Sequence, residues 1–129
     1  MKNTEFGVLA EDRVAAYLRK KGFYIAKRNY KSRYGEIDII AENEDTVAFV
    51  EVKARTDNYI VSPGEAVDKA KRRKIIATAK DYYVKSHCFL TPRFDVAMVT
   101  AFKDEENKWK FELKYLKNAF CLEAGNGVF

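Results

Sequence analysis

The sequence predicts an α/β domain: a mixed sheet of four or five strands flanked by two helices, in the order α-β-β-β-α-β-β. Three observations carry this. Apolar residues recur at helical spacing near the N-terminus and again after Pro63. Two apolar runs, Ile37 to Ala41 and Val47 to Val52, flank the polar cluster Glu42-Asn43-Glu44-Asp45, which has hairpin length. Two more strand-like segments close the chain, one almost continuously apolar and one alternating.

The first helix is expected over residues 4–21, with Val8, Ala15 and Leu18 in its apolar pattern and Gly22 as its stop. Glu11 lies three, four and seven positions before Val14, Ala15 and Leu18, on the apolar face. A glutamate there needs a cation or a basic partner from the next strand. Phe23 to Arg28 reads as a short strand, and Asn29 to Tyr34 as a basic, aromatic connector. The hairpin strands follow. Ser62-Pro63-Gly64-Glu65 combines a capping box with proline at the first helical position, so the second helix is expected from Pro63 to about Lys85. Ala66, Ala70, Ile76, Ala77 and Tyr83 are its expected packing stripe. Lys69 and Arg73 fall on or beside it, able to reach inward or to snorkel outward. Phe94 to Val99 reads as an interior strand. Trp109, Phe111, Leu113 and Tyr115 alternate with charges, as on an edge strand. Residues 1–117 are expected to form one domain and 118–129 a flexible tail.

Composition fits a soluble, cytoplasmic protein. The 129 residues are 47% hydrophobic, enough for one core. No run approaches the roughly 18 apolar residues of a membrane span, and the N-terminus lacks a signal-peptide core. Cys88 and Cys121 are isolated and read as reduced thiols. His87 is the only histidine, which excludes multi-histidine zinc sites and histidine triads. Net charge is +5 despite 19 acids, and the bases cluster at Arg19 to Lys21, Lys27 to Arg33 and Lys69 to Lys74. Such clusters favour phosphate contacts, although a solvated helix face has the same composition.

The informative pattern is Gly35-Glu36-Ile37-Asp38, followed thirteen residues after Asp38 by Glu51-Val52-Lys53. Glu51 and Lys53 share a face of their strand. A register that pairs Asp38 with Glu51 leaves a four-residue loop, Asn43 to Thr46. The two carboxylates would then face each other beside a lysine. Directly opposed like charges destabilise a sheet, so the pair calls for a cation. Carboxylate oxygens with positions left for water and phosphate suit Mg²⁺ or Mn²⁺. The plain alternative is a solvated Glu-x-Lys pair on an open sheet face. Against it, Val47 and Phe49 share that face and Ala48, Val50 and Val52 fill the other, so the strand reads as central.

The acid, hairpin, acid-x-Lys spacing resembles the PD-(D/E)xK nuclease superfamily. More narrowly, the chain is similar to the YraN family of small bacterial nuclease-like proteins. The matching stretches are Gly7 to Gly22, Gly35 to Ala41, Phe49 to Arg55, Pro63 to Val67 with Lys69, and Arg93 to Val96. The resemblance covers roughly residues 5–117. It implies a restriction-endonuclease-like core and metal-dependent hydrolysis of DNA phosphodiester bonds, with branched or damaged DNA among the candidate substrates. Asp38 and Glu51 would hold Mg²⁺ or Mn²⁺, with Glu11 as a further ligand. Lys53 would complete the catalytic set in an electrostatic role, since carboxylates beside it favour its charged form. Lys69, Arg55, Arg33 and Tyr30 would hold the nucleic acid. The alternative is a nucleic-acid-binding module with a nuclease-like fold and a weak or silent site. A chain this short has little surface for gripping a duplex, so a homodimer or a partner is expected to help.

Overall fold

The structure, a computed structural model, describes residues 3–56 and 67–121. Helix α1 spans Asn3–Lys20. Strands β1 (Tyr24–Ser32), β2 (Gly35–Glu42) and β3 (Thr46–Thr56) follow, then helix α2 (Lys69–Lys85) and strands β4 (Thr91–Lys103) and β5 (Trp109–Phe120). The strands form one five-stranded sheet in chain order. All neighbours pair antiparallel except β3 and β4, which run parallel with α2 between them in sequence. This is the expected mixed sheet and element order.

The sheet has a helix on each face. On one side, Ala10, Val14, Ala15 and Leu18 of α1 pack against Ile39, Ala41, Ala48, Val50, Ala97 and Val99. On the other, Ile75, Ile76, Ala79 and Tyr82 of α2 cover Ile40, Val47, Phe49, Phe94 and Val96. Because β3 lies in the middle, both of its faces are apolar and buried, and its charges can appear only toward its C-terminal end. Phe49 anchors the α2 side, stacked on Phe94 at 5.5 Å and edge-on to Tyr82 at 6.0 Å. Its truncation to alanine would cost about 3–5 kcal/mol. Among the described residues no helix is long and apolar enough to cross a membrane.

Three boundaries and two packing faces differ from the sequence reading. Helix α2 does not run unbroken from Pro63. Asp68 has extended backbone (φ −76°, ψ 174°), and its side chain accepts the Lys71 N–H at 2.8 Å, so it caps a helix that starts at Lys69. The Ser62–Glu65 capping box lies outside the described residues. The packing stripe is Ile75, Ile76, Ala79 and Tyr82; Ala70 is exposed, and Ala77 and Tyr83 are only half-buried. On α1, Val8 is exposed while Ala10 and Val14 are buried. Strand β1 continues through the supposed connector to Ser32, helped by Asn29, which adopts φ 52°. Strand β5 continues to Phe120, whose buried ring stacks on Phe94 at 5.1 Å, so residues 118–120 belong to the sheet and not to a tail.

Candidate functional site

Strand β2 changes face at Asp38. Ile39 lies on the α1 side, yet Ile37, two residues away, packs into the α2-side core. Strand β1 does the same beside it. Arg28 reaches toward α1, Tyr30 packs toward α2, and Asn29 between them carries the positive φ. The β2–β3 ladder has its last rung at Ile39–Val50. One step further the register would set Asp38 opposite Glu51. There Asp38 Oδ2 accepts the Val52 N–H at 2.8 Å, satisfying an amide that the ladder no longer pairs. The irregularity removes the condition under which Glu36 and Asp38 would share a face.

Glu51 is 6% exposed and sits between two ammonium groups, Lys53 Nζ at 3.7 Å and Lys71 Nζ at 3.2 Å from its Oε1. Burial first, and then the Glu51 carboxylate, push Asp38 up to about 7; Glu11 adds to the rise, while the Val52 N–H and Lys71 oppose it. Two acids whose charges interact are therefore held beside two lysines at the point where β2 leaves β3.

The other sequence-predicted residues are less concentrated. Glu11 stands close enough to act on Asp38 electrostatically, but its Oε1 accepts from Arg28 and Asn29, each at 3.3 Å. Arg28 also pairs with Asp12 at 2.9 Å. Arg55 lies on β3 opposite Thr100, half-buried. Lys69 is the exposed first residue of α2. Arg33 stands exposed beside the β1–β2 turn, donating to the Tyr34 hydroxyl at 2.7 Å with its guanidinium 4.9 Å from the ring centroid. Tyr30 faces the protein: its hydroxyl donates to Asp81 at 2.6 Å, and its ring meets Tyr82 edge-on at 5.4 Å.

Three residues gain a role that sequence reasoning did not assign. Lys71 reaches Glu51. The only signal was its place in a basic run near a helix start, and that run offered several candidates. Glu42 belongs by sequence to the polar turn cluster, but it is buried and accepts hydroxyl hydrogen bonds from Tyr24 and Tyr82. Asp95 is fully buried and accepts from both the Nε and a terminal nitrogen of Arg93, from the Tyr115 hydroxyl at 2.6 Å and from the Asn118 N–H at 3.1 Å. Glu42 and Asp95 are structural: each ties strands or helix together through a satisfied buried charge.

The donor set can be tested against a divalent ion. Mg²⁺ is commonly held by one or two carboxylates, with water and phosphate completing its shell. Asp38 and Glu51 match that number. Among the described residues no three acids, histidines or cysteines are grouped to hold a metal, which leaves Glu11 outside a direct three-acid set.

A helix, a three-stranded meander whose acids meet where it parts, a second helix and a parallel return strand make up a PD-(D/E)xK-like core, so this is a nuclease-like α/β protein by fold. The family described as "Uncharacterised protein family UPF0102" matches residues 10–99, and the chain belongs to it; this is the YraN family. Relatives extend over nearly the whole chain. A UPF0102 protein of Clostridium acetobutylicum is 37% identical over 120 residues, covering 93% of this chain and 97% of its own. One from Desulforapulum autotrophicum is 43% identical over 115 residues, 88% of this chain and 91% of its own. One from Clostridioides difficile is 45% identical over 100 residues, 77% and 88% of the two chains.

Proposed function

We propose that this protein binds nucleic acid, with DNA the preferred form, on a nuclease-like fold whose carboxylate site is weak or silent in cleavage. The observation that carries this reading is the pairing of its acids. Glu51 is bridged by Lys53 and Lys71, and Glu11 is taken by Arg28 and Asn29. The lysines already supply the positive charge that an acid pair needs. The excess of +5 and the exposed bases around the turn and on α2 favour a polyanion. A second copy of the chain would extend the surface available to a duplex.

A second reading, metal-dependent endonuclease, is favoured by one observation: Asp38 is held near Glu51 at a cost that shows in its raised pKa. In that reading Asp38 and Glu51 would hold Mg²⁺ or Mn²⁺. When bound, the ion would polarise the scissile phosphate and acidify a bound water. Lys53 would offset charge on the phosphate, and Lys71 would have to leave Glu51 or join the substrate side. The test is a panel of linear, flapped and four-way-junction DNAs with Mg²⁺, Mn²⁺ or EDTA, with Asp38→Ala as control. Salt-sensitive binding without cutting is the expected result. Mn²⁺-dependent nicking that Asp38→Ala abolishes would replace the proposal with the endonuclease reading. Binding that ignores salt would end both.

A further inference from the structure

At the end of the sheet away from Asp38 lies a cavity of about 200 Å³ lined by Tyr17, Leu18, Lys21, Phe23, Asn43, Arg93, Tyr115 and Lys117. Asn43 is five residues beyond Asp38 along the chain, roughly 16 Å at about 3.3 Å per strand residue. The lining holds three basic side chains and no acid. Fixed donors and mobile charges are combined in it. Arg93 is clamped by fully buried Asp95, which engages its Nε and one terminal nitrogen, and the Tyr115 hydroxyl is a further hydrogen-bond partner of the guanidinium, so the cation is fixed in place at the cavity wall. The guanidinium also rests 5.4 Å from the Phe23 ring centroid. Asn43 Oδ1 accepts the Asp45 and Thr46 N–H groups at 2.9 and 2.8 Å, so what remains for a ligand is its amide donor. Lys21 lies over the Tyr17 ring at 5.5 Å, and Lys117 is exposed at the rim.

The C-terminus of α1 lies nearby, with most of its last carbonyls already paired. Those of Tyr17, Leu18 and Arg19 are taken by the N–H groups of Lys21, Gly22 and Phe23. Asp95 neutralises one of the three cations, which leaves an excess of about two charges facing a small, partly enclosed volume with donors on several sides. That is the complement of a compact dianion. A phosphomonoester carries about −1.5 to −2 charge at neutral pH and offers three acceptor oxygens. The cavity, about 200 Å³, has room for a phosphoryl group.

We infer that this cavity is a phosphate site, built on Arg93, Lys21, Lys117 and Asn43 and separate from the Asp38–Glu51 site. Its ligand is either the terminal phosphate of a nucleic-acid strand or free inorganic phosphate.

Calorimetric titration of the full chain with inorganic phosphate tests the site. Anisotropy of a labelled oligonucleotide carrying either a 5′-phosphate or a 5′-hydroxyl distinguishes the sources. The double variant Lys21→Ala/Lys117→Ala changes only exposed side chains, so its fold should hold. Arg93→Ala is unsuitable, because it would leave Asp95 buried without its counter-charge. Saturable phosphate binding that weakens about tenfold or more in the double variant is expected. A preference for the 5′-phosphate that the double variant loses identifies a strand end as the ligand; equal binding of the two oligonucleotides alongside saturable phosphate binding identifies free phosphate. The inference is overturned if neither ligand responds to the double variant, or if phosphate binding is lost in Lys71→Ala and kept in the double variant.

Discussion

Lys71 on α2 holds its ammonium 3.2 Å from Oε1 of Glu51 on β3. The contact joins a helix to the central strand at the position where the sheet carries its acid pair. With Lys53 on the other side, it compensates the charge of a Glu51 that is only 6% exposed. Lys71→Ala should therefore lower stability in metal-free buffer by about 1 kcal/mol, a modest figure because the lysine is itself nearly half exposed. Added Mg²⁺ or Mn²⁺ should restore more stability to the variant than to the wild type, by mass action on a site freed of a competing cation. Thermal melts with and without metal measure both effects. An unchanged melting temperature in both buffers would mean that the contact contributes nothing.

Asp38 leads to a prediction in pH. Its folded value of about 7 lies above the ~3.9 of an unfolded aspartate. A carboxyl raised in this way contributes stability while protonated. The contribution is full below about pH 4 and is lost as pH rises through about 7. Asn cannot ionise, and its side-chain oxygen can still accept the Val52 N–H. Asp38→Asn should therefore match the wild type near pH 4 and become more stable above pH 7 by roughly 2–4 kcal/mol. Urea unfolding at several pH values would show it. A difference that stays constant with pH would contradict a strongly raised Asp38.

These sites differ in how far they could be read from the residues. The hairpin was legible from two apolar runs about a polar cluster, but its register was not; Glu42 pairs with Val47, the register that the Asp38–Glu51 option requires. The edge position of β5 was legible from its alternating charges. The face change at Asn29 and Asp38 was not, since an irregular strand step leaves no periodic mark. The start of α2 was not, since the Ser62–Glu65 signals point to an earlier residue, whereas Asp68 caps the described helix. The partners of Glu42, Asp95 and Lys71 depend on side chains brought together from distant parts of the chain. Local pattern shows that such a residue is charged, not what it will meet.

Nucleic-acid binding should separate exposed bases from Tyr30. Affinity for DNA should fall with salt at a log–log slope of about −0.9 per phosphate contacted. Arg33→Ala and Lys69→Ala should each reduce that slope by about one if the residue touches a phosphate. Tyr30→Phe removes the hydrogen bond that the part-buried hydroxyl gives to Asp81. It should cost about 1 kcal/mol of stability and leave DNA affinity unchanged. Fluorescence anisotropy over a salt series, together with urea unfolding, covers all three variants. A Tyr30→Phe protein of normal stability that binds DNA poorly would return Tyr30 to the binding surface.

Lys53 separates binding from catalysis most directly. Its ammonium lies 3.7 Å from Glu51 Oε1, so removing it takes away charge but no oxygen ligand. For a binding protein with a silent site, Lys53 is one of two cations that make the buried Glu51 tolerable. Lys53→Ala should then lose stability without metal, recover part of it in Mg²⁺, and bind DNA with a salt slope close to that of the wild type. For an endonuclease, Lys53 acts where negative charge builds up on the phosphate. The variant should keep metal and DNA affinity while cleavage falls by about 10²–10³, the usual loss for one electrostatic donor. Melting curves, anisotropy and the cleavage panel on the same preparation distinguish the outcomes. A variant that stays stable in metal-free buffer and never cuts would leave Lys53 with neither role, and the positive charge at Glu51 would then rest on Lys71 alone.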